Sequence, residues 1–240
     1  MDRATTLIGV NPFLVEGRPA RLVVRTPYLD AVRRAGGTPL IVTPRRSVAE
    51  IEFLLERVDG LLLTGGDDFD TERIGLGPTH RAALKTPPEK QDFDFALARA
   101  ALERGIPILG VCYGMQLMAL AEGASLLQHL PDDRPGCRPH AGGAEHPVIV
   151  KPRTKLADLV GVERMIVVSR HHQALSAVGS QWIVSASDDE GLIEAIERPN
   201  HPFAVGVQWH PELSPPSSPH GRIFGGLVAA ARAAVQEAVS

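Results

Sequence analysis

The chain has 240 residues and a formal net charge of -3, with 44% apolar and 22% charged residues. These values are ordinary for a globular protein and exclude a disordered or fibrous one. The weak charge gives no basic surface for nucleic acid or an anionic membrane, so we expect a small-molecule substrate. No apolar run approaches the length of a membrane-spanning helix. We therefore expect one domain over residues 1–240 and a cytoplasmic location, and a homodimer is left open.

The first third of the chain alternates short apolar runs with segments of helical periodicity. Apolar runs at 5–10, 38–42 and 61–66 are separated by amphipathic segments that begin near Tyr28 and Val48. This alternation predicts strands joined by helices, which places the strands in a parallel sheet.

The middle and end of the chain continue the pattern and then change it. Residues 89–104 have helical spacing, residues 106–111 are strand-like, and a second helical pattern follows. A loop rich in Pro and Gly over 131–147 precedes several strand-like runs, and an Ala-rich helix is predicted over 223–239. The fold class predicted from this order is α/β, with a mostly parallel central sheet flanked by helices.

Cys112 stands where the strand-like run meets the second helical pattern, between Gly110 and Gly114. This frame is typical of a nucleophile elbow, a strained strand-to-helix turn that leaves the nucleophile exposed above the sheet. The start of the next helix presents unpaired N–H groups that stabilise negative charge on sulfur or on an oxyanion. A buried structural cysteine is the alternative, and the flanking glycines favour the nucleophile.

A thiol nucleophile needs a base, and the base needs a partner that orients it. His210 and Glu212 follow another strand-like run in the string GVQWHPE, which starts at Gly206. The carboxyl ends of parallel strands share one edge of a sheet, so this pair is expected near Cys112. A surface His-Pro turn would be the simpler interpretation if the string stood alone.

These strings resemble those of a known family. GVCYGMQ and GVQWHPE look like the nucleophile and His/Glu motifs of class I glutamine amidotransferases. YLDAVRRAGGTPLIV, GLLLTGGDD, SRHHQA and DEGLIEAIE followed by FAVGVQWHPE resemble, more narrowly, the stand-alone γ-glutamyl hydrolases of the peptidase C26 type, especially the γ-glutamyl-γ-aminobutyrate hydrolase branch. The resemblance runs from about residue 8 to residue 212 and implies a flavodoxin-like domain.

The resemblance also implies a mechanism. Cys112 would attack a γ-glutamyl carboxamide to form a thioester, His210 would act as base and then acid, and Glu212 would orient the imidazole. The roles that it implies for the other positions are an oxyanion hole at Gly66 and Tyr113, and substrate contacts at Gly65, Gln116 and His171. No cofactor is expected.

Tyr113 departs from the hydrolase branch, many members of which carry Arg after the nucleophile. Tyr is found there in amidotransferase subunits that deliver ammonia to a synthetase, so a glutaminase subunit is the alternative function. A binding or regulatory protein with a vestigial triad is the alternative from another class, although the intact Cys, His and Glu speak against it.

Several residues after the second helical pattern could bind a metal. Cys137, His140, His146, His171 and His172 are metal-ligand residue types at suitable spacings. No paired Cys motif accompanies them, so we expect solvated loop histidines and no metal.

Overall fold

The structure is a computed structural model that describes residues 5–44 and 47–239. The predicted domain limits at residues 1 and 240 lie outside the described residues. The strands are β1 (Leu7–Val10), β2 (Phe13–Val15), β3 (Arg21–Val23), β4 (Thr38–Ile41), β5 (Gly60–Leu63), β6 (Ile108–Val111), β7 (Ser125–Leu127), β8 (Ala144–Val150), β9 (Arg164–Ser169), β10 (Ala174–Ala177), β11 (Ile183–Asp188), β12 (Ile193–Glu197) and β13 (Ala204–Val207). The helices are α1 (Thr26–Arg34), α2 (Val48–Leu55), α3 (Pro88–Glu103), α4 (Tyr113–Ala121), α5 (Leu130–Asp133), α6 (Lys155–Val160) and α7 (Arg222–Val239).

Within the described ranges, the central sheet has nine strands in the order β4-β1-β5-β6-β13-β12-β11-β8-β9. The first five run parallel to one another, and each later strand pairs antiparallel with its neighbour. The parallel part has the flavodoxin-like winding, in which the first strand lies between the second and the third. The α/β prediction is confirmed, and antiparallel strands extend the sheet on one side.

Helices cover both faces of this sheet. Helices α1, α6 and α7 pack together on one face, and α2, α3 and α4 pack on the other. The central strands β5, β6 and β13 are buried at every position, as expected for strands covered on both faces. The hairpin of β2 and β3 has no counterpart among the predicted elements, because strands of three residues are too short to show an alternating pattern.

The connection from β6 to α4 is unusually tight. A Cβ added to Gly114 would lie 2.2 Å from the backbone oxygen of Leu63 on β5, and one added to Gly110 would lie 2.5 Å from the backbone oxygen of Gly114. Backbone atoms cannot move aside as a flexible side chain can. Glycine at these two positions is therefore what allows α4 to start directly above the sheet.

The first prediction concerns the close contact between the start of α4 and strand β5. Gly114→Ala should destabilise the fold by more than about 3 kcal/mol, since the methyl group would overlap backbone that two strands hold in place. Urea unfolding of the purified variants measures the loss. Gly225→Ala in α7 is the matched control, because its Cβ would meet nothing within 4 Å and alanine favours a helix by about 0.5–1 kcal/mol. A Gly114→Ala protein as stable as the wild type would contradict this account of the turn.

Candidate active site

Cys112 occupies the turn between β6 and α4 in a strained backbone conformation. Its φ of 53° and ψ of -109° lie in a region that residues with a side chain rarely adopt. The strain is held by hydrogen bonds on both sides: the Cys112 N–H donates to the Val207 carbonyl at 2.8 Å, and the Gln116 N–H donates to the Cys112 carbonyl at 3.2 Å. The turn has the geometry expected of a nucleophile elbow.

His210 and Glu212 lie at the same edge of the sheet, just beyond β13. Strand β13 pairs directly with β6, so the ends of the two strands are neighbours. His210 Nδ1 lies 2.7 Å from Glu212 Oε1, and both side chains are buried. A Cβ added to Gly65 would lie 3.1 Å from His210 Cε1 and 3.7 Å from Cys112 Cβ. Cys112 and His210 thus meet beside Gly65, and Glu212 adjoins them through its contact with His210 Nδ1.

The electrostatics of this site favour a charged imidazole. Burial lowers the pKa of His210, but the hydrogen bonds to Cys112 and Glu212 and the charges of these two groups outweigh it and raise that pKa to about 10. The proton therefore stays on His210 at neutral pH, where it can later be given to a leaving group.

The adjacent glycines Gly65 and Gly66 differ in the hydrogen bonds of their N–H groups. The Gly65 N–H donates to the Tyr28 hydroxyl at 3.0 Å, so it is already occupied. No hydrogen bond from the Gly66 N–H is found among the described residues, and the N–H of Tyr113, the first residue of α4, has no acceptor within its helix. These two groups are suited to an oxyanion.

The Tyr113 side chain supports this loop from below. Its ring stacks on Phe69 with 4.4 Å between the ring centroids, and a Cβ added to Gly66 would lie 2.9 Å from Tyr113 Cγ. Only glycine fits over the ring without displacement. The departure that the sequence shows at Tyr113 is thus a side chain packed in the core, with 3% of its surface exposed.

Tyr28 is a site residue that the sequence analysis missed. Its hydroxyl lies 3.4 Å from His210 Nδ1 in addition to accepting from Gly65. Burial, followed by the charge of Glu212, raises its pKa well above the usual value, so the hydroxyl stays protonated. An aromatic residue on an amphipathic helix gives no sequence signal for such a role.

Gln208 is another residue at this site that was not predicted, although its spacing from His210 in the sequence is a signal for it. Its Nε2 donates to Cys112 Sγ at 3.5 Å, and it precedes His210 by two residues, which is the spacing that puts side chains on one face of an extended segment. Gln116, predicted as a substrate contact, donates through Nε2 to Gln208 Oε1 and to the Gln173 carbonyl, both at 2.9 Å. The amide donors of Gln116 therefore hold Gln208 in place, and its predicted substrate contact has no support from them.

His171, the other predicted substrate contact, lies in a buried group of polar side chains. Its Nδ1 faces the Gln173 carbonyl at 3.0 Å and its Nε2 lies 3.6 Å from Glu194 Oε1, so both nitrogens face protein groups. Burial lowers the pKa of His171 to about 4 and raises that of Glu194 to about 8. His171 is therefore an interior side chain, and its contacts do not support the predicted role in binding a substrate.

The expectation that the loop histidines are solvated is wrong. His140 and His146 are buried, because the loop folds back under β12 and His146 lies on strand β8, inside the segment predicted as a loop. Cys137 and His172 stay partly exposed, and His172 pairs with Asp68 at 2.9 Å.

Comparisons with known proteins agree with this geometry. The sheet order and the cysteine elbow define an α/β protein of the class I glutamine amidotransferase fold. More narrowly, the model of the Peptidase C26 family matches residues 10–212, and the chain belongs to that family. It is an enzyme family, and hydrolases are among the relatives of this chain.

Two relatives illustrate the match. A Mycobacterium tuberculosis protein, Rv2859c, provisionally named a glutamine amidotransferase, is 39% identical over 234 residues, which cover 94% of this chain and 74% of that protein. The γ-glutamyl-γ-aminobutyrate hydrolase PuuD of Escherichia coli K12 is 32% identical over 234 residues, covering 91% of this chain and 90% of the hydrolase.

Solved structures confirm the fold alone, at 18% identity. The glutaminase domain of Trypanosoma brucei CTPS with bound acivicin has a TM-score of 0.67 and covers 95% of this chain and 94% of that one. A Thermoplasma acidophilum protein, provisionally described as part of a GMP synthase, has a TM-score of 0.70 and covers 98% of both chains. Among the described residues, every helix is too short or too polar to cross a membrane.

The second prediction tests whether the cysteine is chemically active. Iodoacetamide should alkylate Cys112 at least about tenfold faster than Cys137 at pH 7, because the His210 imidazole hydrogen-bonds to Cys112 and can activate it as a nucleophile. Accessibility alone predicts the reverse order, since Cys112 is buried and Cys137 is partly exposed. Peptide mass spectrometry of a labelling time course gives both rates.

The variants Cys137→Ala and His210→Ala complete this test. The first should keep the fast reaction, and the second should slow it. Equal slow rates at both cysteines in the wild type would support the vestigial-site alternative.

Proposed function

We propose that the protein hydrolyses a γ-glutamyl amide, such as γ-glutamyl-γ-aminobutyrate, to glutamate and a free amine. The observation that carries the proposal is the strained turn that sets Cys112 at the edge of the sheet beside the hydrogen-bonded pair of His210 and Glu212. This arrangement suits acyl transfer through a thioester, and membership of the Peptidase C26 family supports an amide substrate.

Acylation follows from the positions of these groups. The Cys112 thiolate attacks the γ-carbonyl carbon, and the oxygen becomes an oxyanion that the Gly66 and Tyr113 N–H groups stabilise. His210 gives its proton to the amide nitrogen, the C–N bond breaks and the amine leaves. Glu212 keeps its negative charge and holds the imidazole through Nδ1 at 2.7 Å.

Deacylation uses the same groups in reverse order. The neutral His210 takes a proton from a water molecule, the resulting hydroxide attacks the thioester carbon, and the same two N–H groups stabilise the second oxyanion. The C–S bond then breaks, which releases glutamate and restores the thiolate beside a protonated His210. No redox step and no co-reactant other than water are required.

Two observations support a stand-alone hydrolase over a glutaminase subunit. The 32% identical E. coli relative, which matches over 91% of this chain, is named a γ-glutamyl-γ-aminobutyrate hydrolase. In addition, the Tyr113 ring packs on Phe69 beneath Gly66, so it supports the oxyanion loop. A loop supported from within the chain has no need of a second protein to complete it.

The third prediction separates the roles of the triad residues. Cys112→Ala should lower kcat/KM for γ-glutamyl amides by at least about 10³-fold with the fold intact, since nothing else can form the thioester. His210→Ala should cost about tenfold or more beyond Glu212→Gln, because a misoriented imidazole keeps part of its basicity.

Steady-state kinetics of the variants, with circular dichroism as a check on folding, measure these effects. Cys137→Ala is the control and should keep the wild-type rate. Equal losses from the His210 and Glu212 variants would give Glu212 a role other than orienting the imidazole.

The fourth prediction concerns the leaving group. Protein purified without any partner should cleave γ-glutamyl-γ-aminobutyrate and related γ-glutamyl amines with a higher kcat/KM than glutamine. A larger leaving group contributes binding energy that can be used in the transition state. A glutaminase that serves a synthetase gains from staying inactive until its partner is loaded.

Amine and ammonia release can be followed over a panel of such amides. Cleavage of glutamine alone, and only after a second protein is added, would overturn the hydrolase assignment in favour of the glutaminase.

A further inference from the structure

A second group of ionisable side chains lies beneath the candidate active site. We call it the histidine–carboxylate cluster, and its members come from the loop before β8, from β8, from the segment after β9, from the end of β11 and from β12. They are His140, His146, His171, Asp188 and Glu194. Each of these side chains is at most 2% exposed.

The hydrogen bonds of the three rings fix where their protons are. Each Nδ1 faces a backbone carbonyl: His140 that of Arg138 at 2.9 Å, His171 that of Gln173 at 3.0 Å and His146 that of Pro147 at 3.2 Å. A carbonyl can only accept, so each Nδ1 carries a hydrogen. In the neutral rings, each Nε2 therefore presents a lone pair.

These lone pairs converge on carboxylate oxygens. Glu194 Oε1 lies 3.7 Å from Nε2 of His140, 3.7 Å from Nε2 of His146 and 3.6 Å from Nε2 of His171, too far for N–H···O hydrogen bonds. Asp188 Oδ2 lies 3.3 Å from His140 Nε2. When Glu194 is ionised, acceptors thus face acceptors in a space closed to solvent.

The part of the chain that the structure describes provides no donor for most of these atoms. Nε2 of His140 and of His171, Oδ2 of Asp188 and both carboxylate oxygens of Glu194 are buried without a hydrogen-bond partner. His146 Nε2 differs, because it lies 2.6 Å from the Ser169 hydroxyl, which donates to the lone pair. Buried acceptors left in this state are rare in proteins, and a shared cation would satisfy those of His140, His171 and Glu194. Asp188 Oδ2 also faces the Arg138 guanidinium, with Nε at 3.8 Å.

The spacing fits such a cation. Metal–ligand bonds of about 2.0–2.1 Å at tetrahedral angles place ligand atoms about 3.3 Å apart, close to the 3.6–3.7 Å between Glu194 Oε1 and the three Nε2 atoms. Ligand atoms of His140, His146 and Asp188 all lie within 4.8 Å of one another. An Nδ1–H held by a backbone carbonyl is also the usual support for an imidazole that binds a metal through Nε2.

We propose that the histidine–carboxylate cluster binds one divalent transition-metal ion, Zn²⁺ in the first place, through His140, His146, His171 and Glu194. Imidazole and carboxylate together suit zinc, and the negative charges of Glu194 and Asp188 offset that of a divalent cation in the protein interior, although Asp188 is shared with Arg138. Ser169 releases His146 Nε2 when the ion binds. The site is closed to solvent, so the metal holds strands together and does not contact the reacting atoms.

The fifth prediction is a metal content of about one equivalent per chain in protein purified without a polyhistidine tag, measured by inductively coupled plasma mass spectrometry. His140→Ala and Glu194→Gln should each lower this content by about tenfold or more. His129→Ala is the control, because His129 is a partly exposed histidine that contacts His172, outside the cluster. It should keep the metal.

A second measurement keeps the proposal testable if the variants fail to fold. Wild-type protein stripped with a chelator should bind Zn²⁺ stoichiometrically and gain thermal stability, and Co²⁺ should give the visible spectrum of a tetrahedral site. If the wild type holds less than about a tenth of an equivalent of any metal and neither Zn²⁺ nor Co²⁺ changes its melting temperature, the proposal is wrong and protons hold the cluster together. Loss of metal from His129→Ala alone would place the site elsewhere and also overturn it.

Discussion

The candidate site depends on one close approach of backbone to backbone. Helix α4 starts so near to β5 that a side chain at Gly114 would overlap the Leu63 carbonyl, and Gly110 faces the same turn from below. With both positions reduced to glycine, the chain passes from strand to helix in a single residue. That residue is Cys112, and its φ of 53° is the consequence. The strained residue is therefore the one that carries the sulfur, and the turn places this sulfur above the edge of the sheet, near the end of β13.

Polar side chains near Cys112 Sγ determine which hydrogen-bond donors around the sulfur remain unpaired. Gly65 and Gly66 look equivalent in sequence, but the Gly65 N–H donates to the Tyr28 hydroxyl, whereas the Gly66 N–H has no partner found among the described residues. In the same way, Gln116 uses its amide donors to hold Gln208 against Cys112. The division of roles within the site is therefore set by hydrogen bonds between distant segments, in addition to the motifs themselves.

This difference between local motifs and hydrogen bonds over long distances in the chain explains which features could be predicted from the sequence. Cys112, His210 and Glu212 each lie in a local pattern of glycine, proline and a preceding strand, and the parallel strands follow from their periodicity, so both were predictable. Tyr28 acts through residues far along the chain and leaves no local trace. The burial of His140 and His146 depends on the pairing of β8 with β9 and β11, which residue spacing within one loop cannot reveal. The antiparallel extension of the sheet was missed for the same reason.

The histidine–carboxylate cluster and the predicted triad lie on neighbouring strands, because β12, which carries Glu194, pairs with β13, which leads to His210. The Glu194 carbonyl accepts the Gln208 N–H at 2.8 Å, and Gln208 in turn donates to Cys112 Sγ. On the other side, His171 and Gln116 both hydrogen-bond to the Gln173 carbonyl. A metal ion bound by Glu194 and His171, as proposed, would therefore fix two attachment points of the Gln208 amide, which contacts Cys112 Sγ. Because Gln208 and His210 share one segment, the position of the imidazole is coupled to the same ion. The proposed ion would thus act on the proposed amide chemistry only through the positions of these side chains, with no direct contact between the ion and the reacting atoms.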